Sequence, residues 1–237
     1  MQKAAFISNA RKIVKEYTNQ DKIVEIALEQ FGGKEHPENI DDDWLSHFMD
    51  GARHVSDDEM RLVWGRVLAG ECENPGSMPK QLIHTLSFIP IEVAKSFVKL
   101  CNCAVFFHNN GDETPAKYPI IAWQNNKRFF TKNGISFYLL SEMDSYGLIK
   151  FDSGNGYCLQ DVASTKIVYF DSILHINEIP ENTLNIGNVM LTKVGKSLLD
   201  ITTQEKCEGY FETCKAFWQQ EECEITDEAD ALEGAGV

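Results

Sequence analysis

Residues 41–77 read DDDWLSHFMDGARHVSDDEMRLVWGRVLAGECENPGS, and the spacing of their apolar positions predicts two consecutive helices. Trp44, Leu45, Phe48, Met49 and Ala52 share one helical face. Beyond a break at His54 and Val55, so do Met60, Val63, Trp64, Val67 and Leu68. Two such stripes bury each other when the helices fold back as a hairpin. Asp42 or Asp43 is placed to cap the first helix, and Ser56 with Glu59 three residues on has the form of a capping box for the second. Gly70 and the turn Asn74-Pro75-Gly76 are the expected stop. The motif residues are therefore Trp44, Ser56, Glu59, Met60, Trp64, Gly70, Pro75 and Gly76, and their expected role is structural. At this spacing the two tryptophans read as core before they read as an exposed binding stripe.

On the N-terminal side, residues 1–33 form a helical arm. Ala5, Phe6, Ala10, Ile13, Val14 and Tyr17 lie on one side, Ile23, Val24, Ala27, Leu28 and Phe31 follow, and Gly32-Gly33 ends the pattern. A polar linker with Pro37 leads into a helical bundle over 38–103, completed by a short helix with Leu82, Ile83 and Leu86 and another with Ile91, Ala94, Phe97, Val98 and Cys101. Residues 104–220 change period. Ala104–Phe107 and Tyr118–Trp123 read as a two-stranded ribbon, with Pro119 confining its strand to an edge. A helix follows from Gly134 to Gly147, then strands near 166–170, 172–176 and 186–191, a helix capped by Thr192, and a last helix carrying Tyr210, Phe211, Cys214, Phe217 and Trp218. Residues 221–237 form an acidic tail without Lys or Arg, expected to be mobile. The fold class is thus α+β, mostly α: an N-terminal helical bundle followed by a winged-helix-like domain.

The formal net charge of −14 repels phosphate backbones and anionic lipid, which argues against nucleic-acid and membrane partners. Seven scattered cysteines, no apolar leader at the N-terminus and no apolar run near the roughly 20 residues that span a bilayer give the expectation of a cytoplasmic protein with reduced thiols.

The residues Asp58-Glu59-Met60, Trp64-Gly65, Leu68-Ala69-Gly70-Glu71 and Pro75-Gly76-Ser77, in that order, resemble the bacterial family known as domain of unknown function 2806. The similarity continues towards Cys101. A weaker resemblance links the same region to abortive-infection proteins of the alpha type. Farther on, L-x-x-M-D-S-Y-G-L-I and V-M-L-T-K-V-G-K-S-L-L are similar to the end of winged-helix domains, where a helix closes at Gly-Leu-Ile, a β-wing follows and L-T-x-x-G-x-x-L opens a final helix. The long gap between Ile149 and Val189 departs from a compact wing.

Candidate chemistry is sparse. His36, Asp41, Asp42, Asp43, His47, Asp50 and His54 are the obvious metal ligands, but His47 and His54 stand two helical turns apart where a single ion prefers one. Ser77 and Ser87 lack an evident base beyond His84. Ser153-Gly154-Asn155-Gly156 reads as a turn and not as a phosphate loop. The expected recognition helix offers Ser141, Glu142, Asp144 and Ser145 and no Arg. No catalytic, cofactor-binding or metal residue is therefore assigned, and no cofactor is expected. The reading is a non-enzymatic interaction or regulatory module, set by resemblance in phage defence, that binds an unknown protein partner or pairs with itself as a dimer through the 1–33 arm. The rival readings are a metal-dependent hydrolase or nuclease effector using Asp41–Asp43, and a winged-helix DNA-binding regulator.

Overall fold

The computed structural model describes residues 2–108 and 115–227. In chain order the helices are α1 (Gln2–Glu29), α2 (Asp42–Ala52), α3 (Asp58–Glu73), α4 (Lys80–Phe88), α5 (Ile91–Asn102), α6 (Trp123–Lys132), α7 (Phe137–Ser145), α8 (Lys193–Ile201) and α9 (Tyr210–Gln220). The strands are β1 (Ala104–His108), β2 (Ala116–Pro119), β3 (Ile149–Phe151), β4 (Tyr157–Leu159), β5 (Thr165–Tyr169), β6 (Ser172–Glu178), β7 (Leu184–Gly187), β8 (Val189–Leu191) and β9 (Glu224–Asp227). The described residues are thus mostly helical α+β with antiparallel sheets. They fall into two compact units, Met1–Ile91 with Lys193–Ile201, and Glu92–Thr192 with Thr202–Val237.

In the first unit α3 packs mainly along α1 and α2 along α4, so the helices of the expected hairpin do not bury their stripes chiefly on each other and meet instead through aromatic rings. Trp44 stacks on Phe48 at 5.1 Å, and Phe48 packs against Trp64 at 5.1 Å. All three rings are buried, so the tryptophans are core residues. Trp44 also satisfies its indole N–H, which donates to the Met78 carbonyl at 2.7 Å. Gly51 is where α2 meets Trp64, because a Cβ there would lie 2.3 Å from the indole Cη2. Gly65 does the same for α1, since its Cβ would fall 2.4 Å from Ile26 Cγ2.

The expected caps shift by one residue. Asp41, not Asp42 or Asp43, accepts from the Trp44 amide at 2.8 Å and starts α2. Asp57, not Ser56, accepts from the Met60 amide at 3.0 Å and starts α3. Both corrections have one cause: an Asp in extended conformation three residues before the first buried residue of the helix outcompetes its neighbours for that amide. Gly70 does not stop α3, which runs on to Glu73. Its small size instead admits Met78 and Ile201, whose side chains a Cβ would meet at 2.6 and 3.0 Å. The turn does fall at Asn74-Pro75-Gly76, with Gly76 at φ +87°. It is held by Glu71, a buried carboxylate that accepts the Gly76 amide at 2.7 Å and the Met78 amide at 2.8 Å.

In the second unit a five-stranded antiparallel sheet runs β2-β1-β5-β6-β9. The expected ribbon is present as β1 and β2, and Pro119 stands on the edge strand where its missing N–H costs nothing. However, β1 also pairs with β5, so the ribbon is one side of a larger sheet. Alternate residues Ile167 and Tyr169 of β5, and Leu174 and Ile176 of β6, are buried. Trp123, expected in a strand, begins α6 instead. The expected mobile tail is corrected at its start: Glu224–Asp227 is β9, paired with β6, and Cys223 before it is buried. Backbone pairing and that apolar anchor outweigh the acidic composition of 221–227, while 228–237 lie outside the described residues.

The predicted helix, Gly147 turn (φ +71°) and strand are found as α7 and β3, and β3 pairs with β8. Between them lie β4 to β7, and α8 belongs to the first unit. The α+β elements come in the expected order, and these pairings do not confirm the winged-helix reading.

Candidate functional site

At about 1.5 Å per residue, α1 is a rod of roughly 40 Å with two different apolar faces. Asn19, Ile23 and Ala27 are buried on one of them, at 2%, 0% and 1% exposure. Leu28 stands five residues beyond Ile23, about 140° around the helix at about 100° per residue. The face it shares with Phe6, Ala10, Ile13 and Tyr17 is open. Phe6 is 76% exposed, Ile13 57%, Tyr17 67% and Leu28 56%, and Val14 on its flank is 64% exposed. The 4-3-4 spacing of Phe6, Ala10, Ile13 and Tyr17 is that of a seam between paired helices.

The inner face is locked by polar groups as well as apolar ones. Asn19 donates its amide to the Arg53 carbonyl at 2.8 Å and accepts from Arg61 Nη2 at 2.7 Å. Gln20 donates to the Met49 carbonyl at 2.9 Å. Residues 3–15, before these anchors, are all exposed. Lys3, Arg11, Lys12 and Lys15 make this half of the helix basic, whereas Asp21, Glu25 and Glu29 make the anchored half acidic.

The other candidates are used structurally. Asp41 serves as a cap and pairs with Lys80 at 3.1 Å, and Asp43 lies 4.0 Å from the same ammonium. The Trp44 amide first, and Lys80 second, hold the Asp41 carboxyl below its ordinary range. His36 lies 3.4 Å from Glu38, and His54 accepts from Arg53. Among the described residues no three His, Cys, Asp or Glu side chains come together as a metal site. Ser87 donates to the Ile83 carbonyl and Ser77 to that of Gly70. On α7, Asp144 pairs with Lys150 at 3.7 Å. A groove of about 440 Å³ is lined by Val55, Met60, Phe88 and Ile89 with His54, Ser56, Asp57 and Ser87, of which Asp57 caps α3 and Ser87 donates to the Ile83 carbonyl. No helix among the described residues is long and apolar enough to cross a membrane.

Sequence reasoning located the open stripe but not its opposition to the anchored face, because Asn19 and Gln20 are polar and gave no sign of burial. Glu71 was part of the motif without an assigned role. A lone carboxylate just before a Pro-Gly turn was the available signal, since such a turn leaves amides in need of acceptors.

No curated protein and no solved structure matches the chain. The family model described as Protein of unknown function (DUF2806) matches residues 8–215, a span that holds the open stripe from Ala10 onward, the hairpin motif and most of the second unit, and the chain belongs to that family.

Proposed function

We propose that the protein acts without catalysis of its own, as an association module whose working form is a two-fold dimer paired through the open face of α1. The observation that carries this reading is the second apolar face of that helix, left bare along its length while the opposite face is packed from Asn19 onward. Side chains of the size of Phe6, Ile13, Val14, Tyr17 and Leu28 offer on the order of 500–600 Å² per copy. A symmetric pair then buries about 1,200 Å², the lower edge of specific interfaces. The dimer is therefore expected to be reversible.

Charge selects the arrangement. With two α1 helices antiparallel and centred on Tyr17, Phe6 of one copy meets Leu28 of the other and Ala10 meets Val24. The basic half of one helix, with Lys3 and Arg11, then runs beside the acidic half of the other, with Asp21 and Glu25. Parallel pairing would set like charges together. An anionic membrane is a poorer occupant, because the stripe carries Asp21 among its apolar residues and continues onto the acidic half of the helix.

Two differently tagged copies of the full chain, mixed and captured through one tag, test the reading. Co-capture from wild type that is lost with Phe6→Glu and Ile13→Glu supports it. No co-capture, or binding of the wild type to anionic vesicles in its place, overturns it. The resemblance to abortive-infection proteins makes phage defence the setting in which we expect the dimer to act, and survival under phage challenge with the same variants is the corresponding assay. The effector-enzyme and DNA-reading alternatives are less favoured, because Asp41 serves as a cap and pairs with Lys80, Asp43 faces the same ammonium, and α7 carries no Lys or Arg.

A further inference from the structure

At the end of the five-stranded sheet where β1 and β6 stop and β5 starts, a cavity of about 220 Å³ is lined, apart from Ile176, by His108, Ser164, Thr165, Lys166, His175 and Asn177. Strand register assembles this set. His108 of β1 stands opposite Lys166 of β5, and Lys166 stands opposite His175 of β6. Cross-strand partners have Cβ atoms about 5 Å apart, so the three side chains form a row about 10 Å long on the face away from buried Ile167 and Ile176. Thr165 reaches the same cavity from the core face, because it is the first residue of β5. It is 6% exposed, and its hydroxyl is buried with no hydrogen-bond partner among the described residues.

We infer that this cavity binds the phosphate group of a small phosphate monoester, held by the Lys166 ammonium and by imidazole N–H groups of His108 and His175, with the Thr165 hydroxyl completed by the same anion. The chemistry of the lining is that of donors. An ammonium carries three N–H groups, each imidazole at least one, and the hydroxyls and the Asn177 amide add theirs. Asn177 gives one amide hydrogen to Thr226 at 2.8 Å and has a second. Lys166 and His175 also have partners within the protein, but one partner does not exhaust an ammonium. A buried hydroxyl without a partner is costly, and a bound anion removes that cost.

Other ligand classes fit less well. Among the described residues no carboxylate lines the cavity, although the chain as a whole carries a net charge of −14. A metal cation would meet an ammonium between the two imidazoles, and no third ligand joins them. The net charge repels a nucleic-acid backbone, whereas a single phosphate inside a cavity meets the local donors first. The site lies wholly in the second unit and does not depend on the pairing of α1.

The test uses the full chain with isotope-labelled histidine, followed by NMR while sodium phosphate or glycerol phosphate is added, against sodium chloride at matched ionic strength. Saturable shifts of the His108 and His175 imidazoles are expected with both phosphates and not with chloride, while His36, His47, His54 and His84 stay in place. Lys166→Gln should weaken binding about tenfold or more, and Lys166→Arg should keep most of it. Thr165→Val, which replaces the unpartnered hydroxyl by a methyl of the same shape, should weaken binding about threefold or more without lowering the urea midpoint. Shifts spread over all six histidines, no shift with either phosphate, a response to inorganic phosphate alone, or binding untouched by Lys166→Gln overturns the inference.

Discussion

Asn19 of α1 and Arg61 of α3 are joined by a 2.7 Å hydrogen bond between two buried side chains, the guanidinium donating and the amide oxygen accepting. Arg61 also donates to the Val55 carbonyl at 3.2 Å and pairs with Asp58. The junction fixes one face of α1 to the hairpin and so determines which face is left open.

Asn19→Ala should destabilise the protein by about 1–3 kcal/mol, because it leaves a guanidinium N–H and the Arg53 carbonyl without a partner in a buried place. Urea denaturation reads the cost. An unchanged midpoint would mean that α1 is not anchored there.

The observed cap and the expected one separate cleanly under substitution. Asp57→Ala should cost about 0.5–2 kcal/mol as the loss of the acceptor for the Met60 amide, while Ser56→Ala should be close to neutral. The opposite ranking in the same urea titration would restore Ser56 as the cap.

Glu71→Gln tests the turn. Both carboxylate oxygens accept backbone amides, so a side-chain NH₂ must face one of those N–H groups, at a cost of about 1–3 kcal/mol. A neutral effect would show that the Asn74-Pro75-Gly76 turn does not depend on the carboxylate.

Asp41 gives a pH dependence. Its folded carboxyl titrates below the ordinary value of 3.8, so its contribution is complete above that value and is lost as the pH falls through the folded one. Asp41→Asn should flatten the fall of stability with acid below about pH 4. A parallel curve for the variant would remove Asp41 from the acid response.

Legibility followed the length of the pattern. The helices α2 and α3 were readable because Trp44, Phe48, Trp64 and Val67 repeat at helical spacing over two long segments, and the edge position of Pro119 was readable from its missing N–H. Single-residue choices were not: three adjacent acids at 41–43 offer the same cap chemistry, and only the path of the chain picks Asp41. The role of Gly70 was hidden because glycine at a helix end and glycine at a close crossing look alike in sequence. β9 was masked by acidic composition, since pairing with β6 depends on a neighbour about fifty residues away.

Charge reversal across the antiparallel α1 pair tests the dimer most directly, read by sedimentation equilibrium of the full chain. Wild type should sediment as a reversible dimer. Arg11→Glu and Glu25→Arg should each weaken it about fivefold or more, since each reversal occurs twice in the symmetric pair, and the double variant should recover most of the loss. A wild type that remains a monomer at every concentration, or a double variant weaker than either single one, would contradict the pairing of α1 with a second copy of itself.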